Sequence, residues 1–261
     1  MCTTRKNSGL FPAGGDASRV APLPCSKEIF PVGFQGNGPL RPKVAGQYLL
    51  ENMRLAGVTK AYIVLRKGKW DIPSYFAYGN SLDLFLAYII VEKTAGVPFT
   101  LDRAYPYLQD DLVLFGFPDI LFQPKEAFVH LMDKQKKSEA DLVLGLFPAN
   151  EPQKVDMVQL DNRGGIKRIL IKPLNTDLAY TWIIAVWTPV FSRFMHDFVQ
   201  RHAQQDAYPP SQAEVFLGEV INAALSSGIA TDKVIFEHGK YLDIGTPEDM
   251  IKARQMTAIQ S

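Results

Sequence analysis

Four short, mainly apolar runs limit what this chain can fold into: Ala61-Tyr62-Ile63-Val64-Leu65, Leu86 to Val91, Asp111 to Gly116 and Asp141 to Phe147. Each is continuous rather than alternating, which suits a strand buried on both faces. Helix-like stretches lie between them: Pro42 to Leu55 with Gly57 as its stop signal, Ile72 to Phe76, Pro98 to Tyr107 and Lys125 to Lys137. Strands alternating with helices predict a mostly parallel sheet covered by helices on both sides. The middle of the chain differs. Val155 to Leu160, Ile166 to Ile171 and Tyr180 to Trp187 are strand-like, with Asn162-Arg163-Gly164-Gly165 as a turn, and suit hairpins. Helices are expected from Pro189 to about Gln204, from Ser211 to Ser227 and from Pro247 to about Met256, with a strand at Val234-Ile235-Phe236. No repeat or low-complexity tract interrupts this pattern, so 1–261 reads as a single domain.

The net charge of +1 advertises no polyanion-binding surface, so no nucleic acid is expected as a partner. No apolar run approaches the ~18 residues needed to span a bilayer, and Leu10-Phe11 is too short a patch for a signal peptide. The expectation is a cytoplasmic protein with no membrane partner; a homo-oligomer stays open. The two cysteines, Cys2 and Cys25, form no Cys-x-x-Cys pair. His130, His196, His202 and His238 are scattered without metal-ligand spacing, so zinc is not expected.

Chemistry concentrates near the N-terminus. Leu10-Phe11 leads into Ala13-Gly14-Gly15-Asp16-Ala17-Ser18-Arg19, and Lys27 follows. Two glycines let the backbone turn sharply beside a ligand, and successive N–H groups make a concavity for an anion. Arg19 can fork onto phosphate oxygens, and Lys27 can act as a point charge. An ordinary tight turn with two surface cations fits the same residues. The stretch is neither a P-loop, lacking Gly-Lys-Ser/Thr, nor a G-x-G-x-x-G fingerprint.

A triphosphate site calls for Mg²⁺, which takes one or two protein carboxylates besides phosphate oxygens. Open α/β sheets place ligands at the C-terminal ends of strands. Asp119, in Gly116-Phe117-Pro118-Asp119, and Asp243, in Tyr241-Leu242-Asp243-Ile244-Gly245-Thr246-Pro247, occupy such positions. Each taken alone also fits a turn or a helix lead-in. Lys172, ending the run Ile169-Leu170-Ile171, suits either an acceptor phosphate or a solvated edge.

Taken in order, these pieces resemble the sugar-1-phosphate nucleotidyltransferases, the group that includes glucose-1-phosphate thymidylyltransferase. The glycine loop with Arg19, then Ser26-Lys27 and Pro31-Val32, Leu55-Ala56-Gly57-Val58 before a strand, Gly116 to Asp119, Lys172-Pro173 and Tyr241 to Pro247 follow that family's order over about residues 8–256. The resemblance implies a three-layer α/β/α Rossmann-like nucleotidyltransferase fold with a mostly parallel mixed sheet. It implies a Mg²⁺-dependent transfer of NMP from an NTP, pyrimidine for preference, to a sugar 1-phosphate or similar phosphorylated acceptor. In it Ala13, Gly14, Gly15, Ser18, Arg19 and Gly96 would bind the nucleotide, Arg19 and Lys27 would meet phosphate charge, Asp119 and Asp243 would hold Mg²⁺, and Lys172 and Trp182 would line the acceptor end.

Ala17 replaces a loop glycine of that family, Ile171 stands where a sugar-binding Glu is usual, and Trp182 where a small residue is usual. These departures point away from an ordinary hexose phosphate, toward an unusual sugar phosphate or a smaller phosphate or phosphonate. No C-terminal β-helix is expected. A non-catalytic, nucleotide-binding regulatory homologue is the alternative. Retention of Arg19, Lys27, Asp119 and Asp243 favours catalysis. A glycosyltransferase would carry Asp-x-Asp after a strand, and none is found.

Overall fold

The structure, a computed structural model, describes residues 6–15, 22–36, 39–149, 151–205 and 214–258. In chain order, β1 (Asn7–Ala13) is followed by a 3-10 turn at Lys27–Ile29, then β2 (Pro31–Gln35), β3 (Arg41–Val44) and α1 (Ala45–Leu55). Next come β4 (Lys60–Arg66), α2 (Asp71–Phe76), β5 (Phe85–Val91), α3 (Val97–Asp102), α4 (Tyr105–Leu108), β6 (Leu112–Gly116) and β7 (Ile120–Gln123). Then follow α5 (Ala127–Ser138), β8 (Leu142–Pro148), β9 (Met157–Leu160), β10 (Ile166–Leu170), β11 (Tyr180–Trp187) and α6 (Pro189–Gln205). The order closes with α7 (Leu217–Ser226), β12 (Thr231–Ile235), β13 (Lys240–Asp243) and α8 (Pro247–Ala258).

A nine-stranded sheet runs β10-β9-β11-β6-β1-β4-β5, with β8 also on β11 and β12 on β8. The pairs β1–β4, β1–β6, β4–β5 and β8–β12 are parallel; β11 is antiparallel to both β6 and β8. The architecture is the expected α/β sandwich. Successive strand residues drop into opposite cores, as the two-residue period of a strand requires. Phe11, Ile63 and Leu114 meet α1, α2 and α5, while Leu10, Val64 and Phe115 meet α3, α4, α6 and α7. That double burial is why these strands read as unbroken apolar runs.

Several expectations shift. Pro42 does not open a helix. It lies in β3, which pairs antiparallel with β2 in a separate two-stranded ribbon, where a proline without an N–H is tolerated. Helix α1 begins three residues later, at Ala45. The stretch 98–107 is two short helices rather than one. Two four-residue strands after Asp119 and before Ile244, β7 and β13, pair antiparallel in a third small sheet.

One close approach ties the fold to the site. A Cβ at Gly46, in the first turn of α1, would stand 2.7 Å from the Phe11 ring and 3.0 Å from the Glu28 carbonyl oxygen. Helix propensity favours alanine there by ~1 kcal/mol, but overpacking a filled core costs about 1–3 kcal/mol. Gly46→Ala is therefore expected to lower stability in urea denaturation. A net gain would show that this contact relaxes freely.

Candidate functional site

The C-terminal ends of β1, β6 and β8 and the first residues of the antiparallel β11 lie along one edge of the sheet, as their registers require. Chain leaving β1 and β6 at this edge carries the predicted residues. Asp119 follows β6 and immediately precedes β7; Asp243 ends β13. Register sets Asp243 opposite Ile120, and the Ile244 N–H donates to the Asp119 carbonyl at 2.9 Å. The two residues are thus brought together at the ends of paired strands although 124 positions separate them in sequence.

Lys27 joins them. Its ammonium is ion-paired with Asp119 Oδ2, with both side chains about 15% exposed. Burial pulls the Lys27 pKa down. The Asp119 charge and hydrogen bond, then Asp243 and Glu28, outweigh that, and the value ends above the ordinary lysine range. Lys27 therefore remains an ammonium at physiological pH, a fixed positive charge rather than a base.

The turn bearing Lys27 is clamped from both sides. Ser26 donates its backbone N–H and its hydroxyl to the Asp71 carboxylate at 2.6 and 2.8 Å. Glu28 is buried and bonds Lys69 Nζ at 2.6 Å. Asp71 opens α2, and Lys69 lies just before it, so one short segment after β4 holds the lysine turn. Sequence reasoning missed Glu28, Lys69 and Asp71. Their signal was weak: a Glu next to a Lys, and charges in a loop.

The glycine loop is described as far as Gly15. Ala13 is the buried last residue of β1, and a Cβ on Gly14 would meet Thr100 Oγ1 at 3.2 Å. Thr100 in α3 donates its N–H to the Gly96 carbonyl at 3.2 Å. Gly14 and Gly96 are thus brought to the two sides of one threonine. Gly96 itself has φ +140, and a Cβ there would run into the Val215 carbonyl, so glycine is required by backbone strain and space as well as by any ligand. Gly15 is exposed, with nothing within 4 Å of a Cβ. Ser18 and Arg19, with Ala17, lie outside the described residues.

At the other end, Lys172 adopts a left-handed backbone, φ +38, and its ammonium lies 4.4 Å from the centre of the Phe216 ring. The Phe216 N–H donates to Glu219 Oε2 at 2.7 Å, closing the N-terminus of α7. Trp182, in β11, is 5% exposed and its ring lies 5.8 Å from that of Phe117, two residues before Asp119.

Asp156 enters here unannounced by sequence reasoning. β9 pairs with β11 at Met157 opposite Thr181, and the Thr181 hydroxyl donates to the Asp156 carbonyl at 2.8 Å. Asp156 Oδ1 and Trp182 Nε1 are both buried without a hydrogen-bond partner among the described residues; the indole leans toward the carboxylate without closing a bond of normal geometry. Burial pushes the Asp156 carboxyl up to about 6. The Lys172 charge and backbone N–H, and the Trp182 indole, pull it back only in part, and Glu219 pushes it further up. An acid standing before an otherwise apolar strand, Asp156-Met157-Val158, was the available signal.

The comparisons bear on this edge of the sheet. Residues 9–260 match the model of the nucleotidyl transferase family. The chain belongs to that family. Among solved structures it is similar to a protein from Bacillus anthracis described as a glucose-1-phosphate thymidylyltransferase bound to sucrose. That similarity has a TM-score of 0.80 at 18% identity and covers 96% of this chain and 94% of that one. It is also similar to a UDP-glucose pyrophosphorylase complexed with UDP-glucose, with a TM-score of 0.78 at 17% identity, covering 98% of this chain and 100% of that one. Among the described residues no helix is long and apolar enough to cross a membrane.

Two tests follow from the charges. Lys69→Met strands the buried Glu28 carboxylate and is expected to cost about 3–5 kcal/mol in urea denaturation. Glu28→Leu combined with Lys69→Met should recover much of that loss. A single-variant cost below ~1 kcal/mol would remove the clamp.

The second test concerns Asp156. The folded chain holds its proton to about pH 6, against 3.8 for the ordinary carboxyl. The folded state therefore binds the extra proton, and the contribution to stability is full below pH 3.8 and lost as pH rises through 6. Asp156→Asn should stabilise the protein relative to wild type more at pH 8 than at pH 5, by roughly 1 kcal/mol. An equal effect at both values would show that Asp156 is not short of compensating charge.

Proposed function

We propose that this chain is a Mg²⁺-dependent nucleotidyltransferase that moves a nucleoside monophosphate from an NTP to a small phosphorylated acceptor and releases pyrophosphate. One observation carries the reading: the Lys27 ammonium, ion-paired with Asp119 and within the field of Asp243 at the C-terminal edge of the sheet. The two similar structures, described as a glucose-1-phosphate thymidylyltransferase and as a UDP-glucose pyrophosphorylase complexed with UDP-glucose, support a pyrimidine NTP and a sugar 1-phosphate or an analogue of one.

The residues fit Mg²⁺. Asp119, immediately before β7, and Asp243, the last residue of β13, make a two-carboxylate oxygen donor set. That suits a cation completed by water and phosphate oxygens rather than caged by protein. Asp119 and Asp243 would hold it, and it would draw charge from the phosphate oxygens of the bound NTP. Gly14 and Gly15 bring backbone close to the nucleotide, with Ser18 and Arg19 on its phosphates. Gly96 stands beside Thr100 on the far side of Gly14.

In the reaction, an oxygen of the acceptor phosphate attacks the α-phosphorus in line. A new P–O bond forms, and the bond from α-phosphorus to the bridging oxygen breaks. Its electron pair leaves on pyrophosphate. No general base is needed, because a phosphate monoester with a second pKa of ~6 is already largely dianionic near neutrality. Lys27 neutralises charge building at the α-phosphorus, and Lys172 holds the acceptor phosphate. The clamp on Ser26 and Glu28 fixes the lysine in advance, which is where a charge-stabilising group gains its effect.

Pyrophosphate release, measured with each NTP and Mg²⁺ against a panel of phosphorylated acceptors, tests this. Asp119→Asn and Asp243→Asn are each expected to lower turnover more than ~100-fold while the chain stays folded. Turnover unchanged in either variant would take that residue out of the metal site. Nucleotide binding without turnover for any pair would leave a regulatory homologue.

A further inference from the structure

The acceptor end has an unusual charge balance. Asp156 is a carboxylate with one buried oxygen lacking a hydrogen-bond partner among the described residues, as Glu28 also has, and Lys172, whose charge acts on it, lies over the Phe216 ring. Beside it stands Trp182, 5% exposed, whose indole Nε1 acts on the same carboxylate without a hydrogen bond of normal geometry. Trp182 in turn is flanked by Phe117 at 5.8 Å and Phe115 at 6.2 Å. Asp156 Oδ2 packs over Gly218, where a Cβ would stand 2.8 Å away, and the Ile171 methyl closes on the same glycine. This surface is aromatic and aliphatic around one buried negative charge.

Such a surface suits a polyhydroxylated ring poorly. A sugar buries many hydroxyls, each of which loses free energy unless it finds a partner. Ile171, Phe117 and Phe216 supply none. A compact cation matches instead: a buried carboxylate attracts it, and aromatic rings favour it further. The connection to the chemistry is short, because Phe117 is two residues from Asp119, and the Lys172 charge and backbone act on the Asp156 carboxyl.

Resting on the nucleotidyltransferase reading, we propose that the acceptor is a small aminoalkyl phosphate or phosphonate. Its ammonium lies against the Asp156 carboxylate beside Trp182 and Phe117, and its phosphorus end lies on Lys172. The amine takes no part in bond making. It selects the acceptor and points the phosphate oxygen toward the α-phosphorus.

The test uses the whole chain and two probes of nearly equal shape, 2-aminoethyl phosphate and n-propyl phosphate, with glucose 1-phosphate as a third. Calorimetric binding and pyrophosphate release are measured in parallel. Wild type is expected to prefer the amine over its uncharged counterpart by at least ~10-fold in Kd, and in kcat/KM where turnover occurs. Asp156→Asn should shrink that preference to within ~3-fold while leaving propyl phosphate nearly unchanged, since only the ion contact is lost. Asp156→Glu should restore part of it.

Equal use of the two probes, or a preference for glucose 1-phosphate, would overturn the proposal and leave nucleotidyl transfer standing. Weakening of all probes alike in Asp156→Asn would also overturn it, reducing Asp156 to an anchor for Lys172. Selective binding of the amine without pyrophosphate release would sink catalysis and keep the cation site.

Discussion

The ion pair between Lys27 and Asp119 is the contact on which the site's geometry turns. It joins a turn after β1 to the chain leaving β6, two strands that are parallel neighbours in the sheet. Its partners are partly buried, so each would pay for desolvation if left alone. In the ligand-free chain they neutralise each other, with Asp243 adding to the field at the lysine. In the proposed reaction both would exchange partners, the lysine for phosphate and the aspartate for a cation. A site whose own charges are balanced before and after ligand binding can stay folded in both states.

That balance depends on rigid supports of different kinds. Lys27 is held by Asp71 through Ser26 and by the buried Glu28–Lys69 pair. The carboxylates are placed by backbone pairing, β7 against β13, with Asp119 also ion-paired to Lys27. The nucleotide side is held by close backbone approach, Gly14 on Thr100 and Gly96 on Val215. Val215 precedes Phe216, over which Lys172 lies, so the bridge between Gly96 and Val215 couples the two ends of the site through two residues of chain.

What the sequence could express followed from burial. Strands β4, β6 and β8 were legible because both faces are covered, and their apolar runs are unbroken. Strands β7 and β13 are four residues long and half-buried, so neither carries a period of its own; only their mutual pairing makes them strands. Pro42 misled because proline suits the first turn of a helix and an edge ribbon equally. Asp119, Asp243 and Lys27 could each be picked out by chain position, but their convergence is a product of register that no local pattern encodes. Asp156 escaped because a single acid at the start of a strand looks like a turn residue. Its meaning comes from β11, which lays Trp182 beside it.

The two ends of the site therefore differ in how their charge is settled. At the proposed phosphate end Lys27 is paired with Asp119 and Glu28 with Lys69, although the second Glu28 oxygen is buried without a hydrogen-bond partner among the described residues. At the acceptor end burial outweighs what Lys172 and the backbone return to Asp156, and its pKa sits near 6. Folding alone would favour an uncharged residue there, since an apolar substitute avoids the desolvation cost. A carboxylate kept in that position against folding is most simply explained by a ligand that supplies the missing positive charge. Binding energy then comes from relieving a cost already built into the protein, and an uncharged acceptor of the same shape gains none of it.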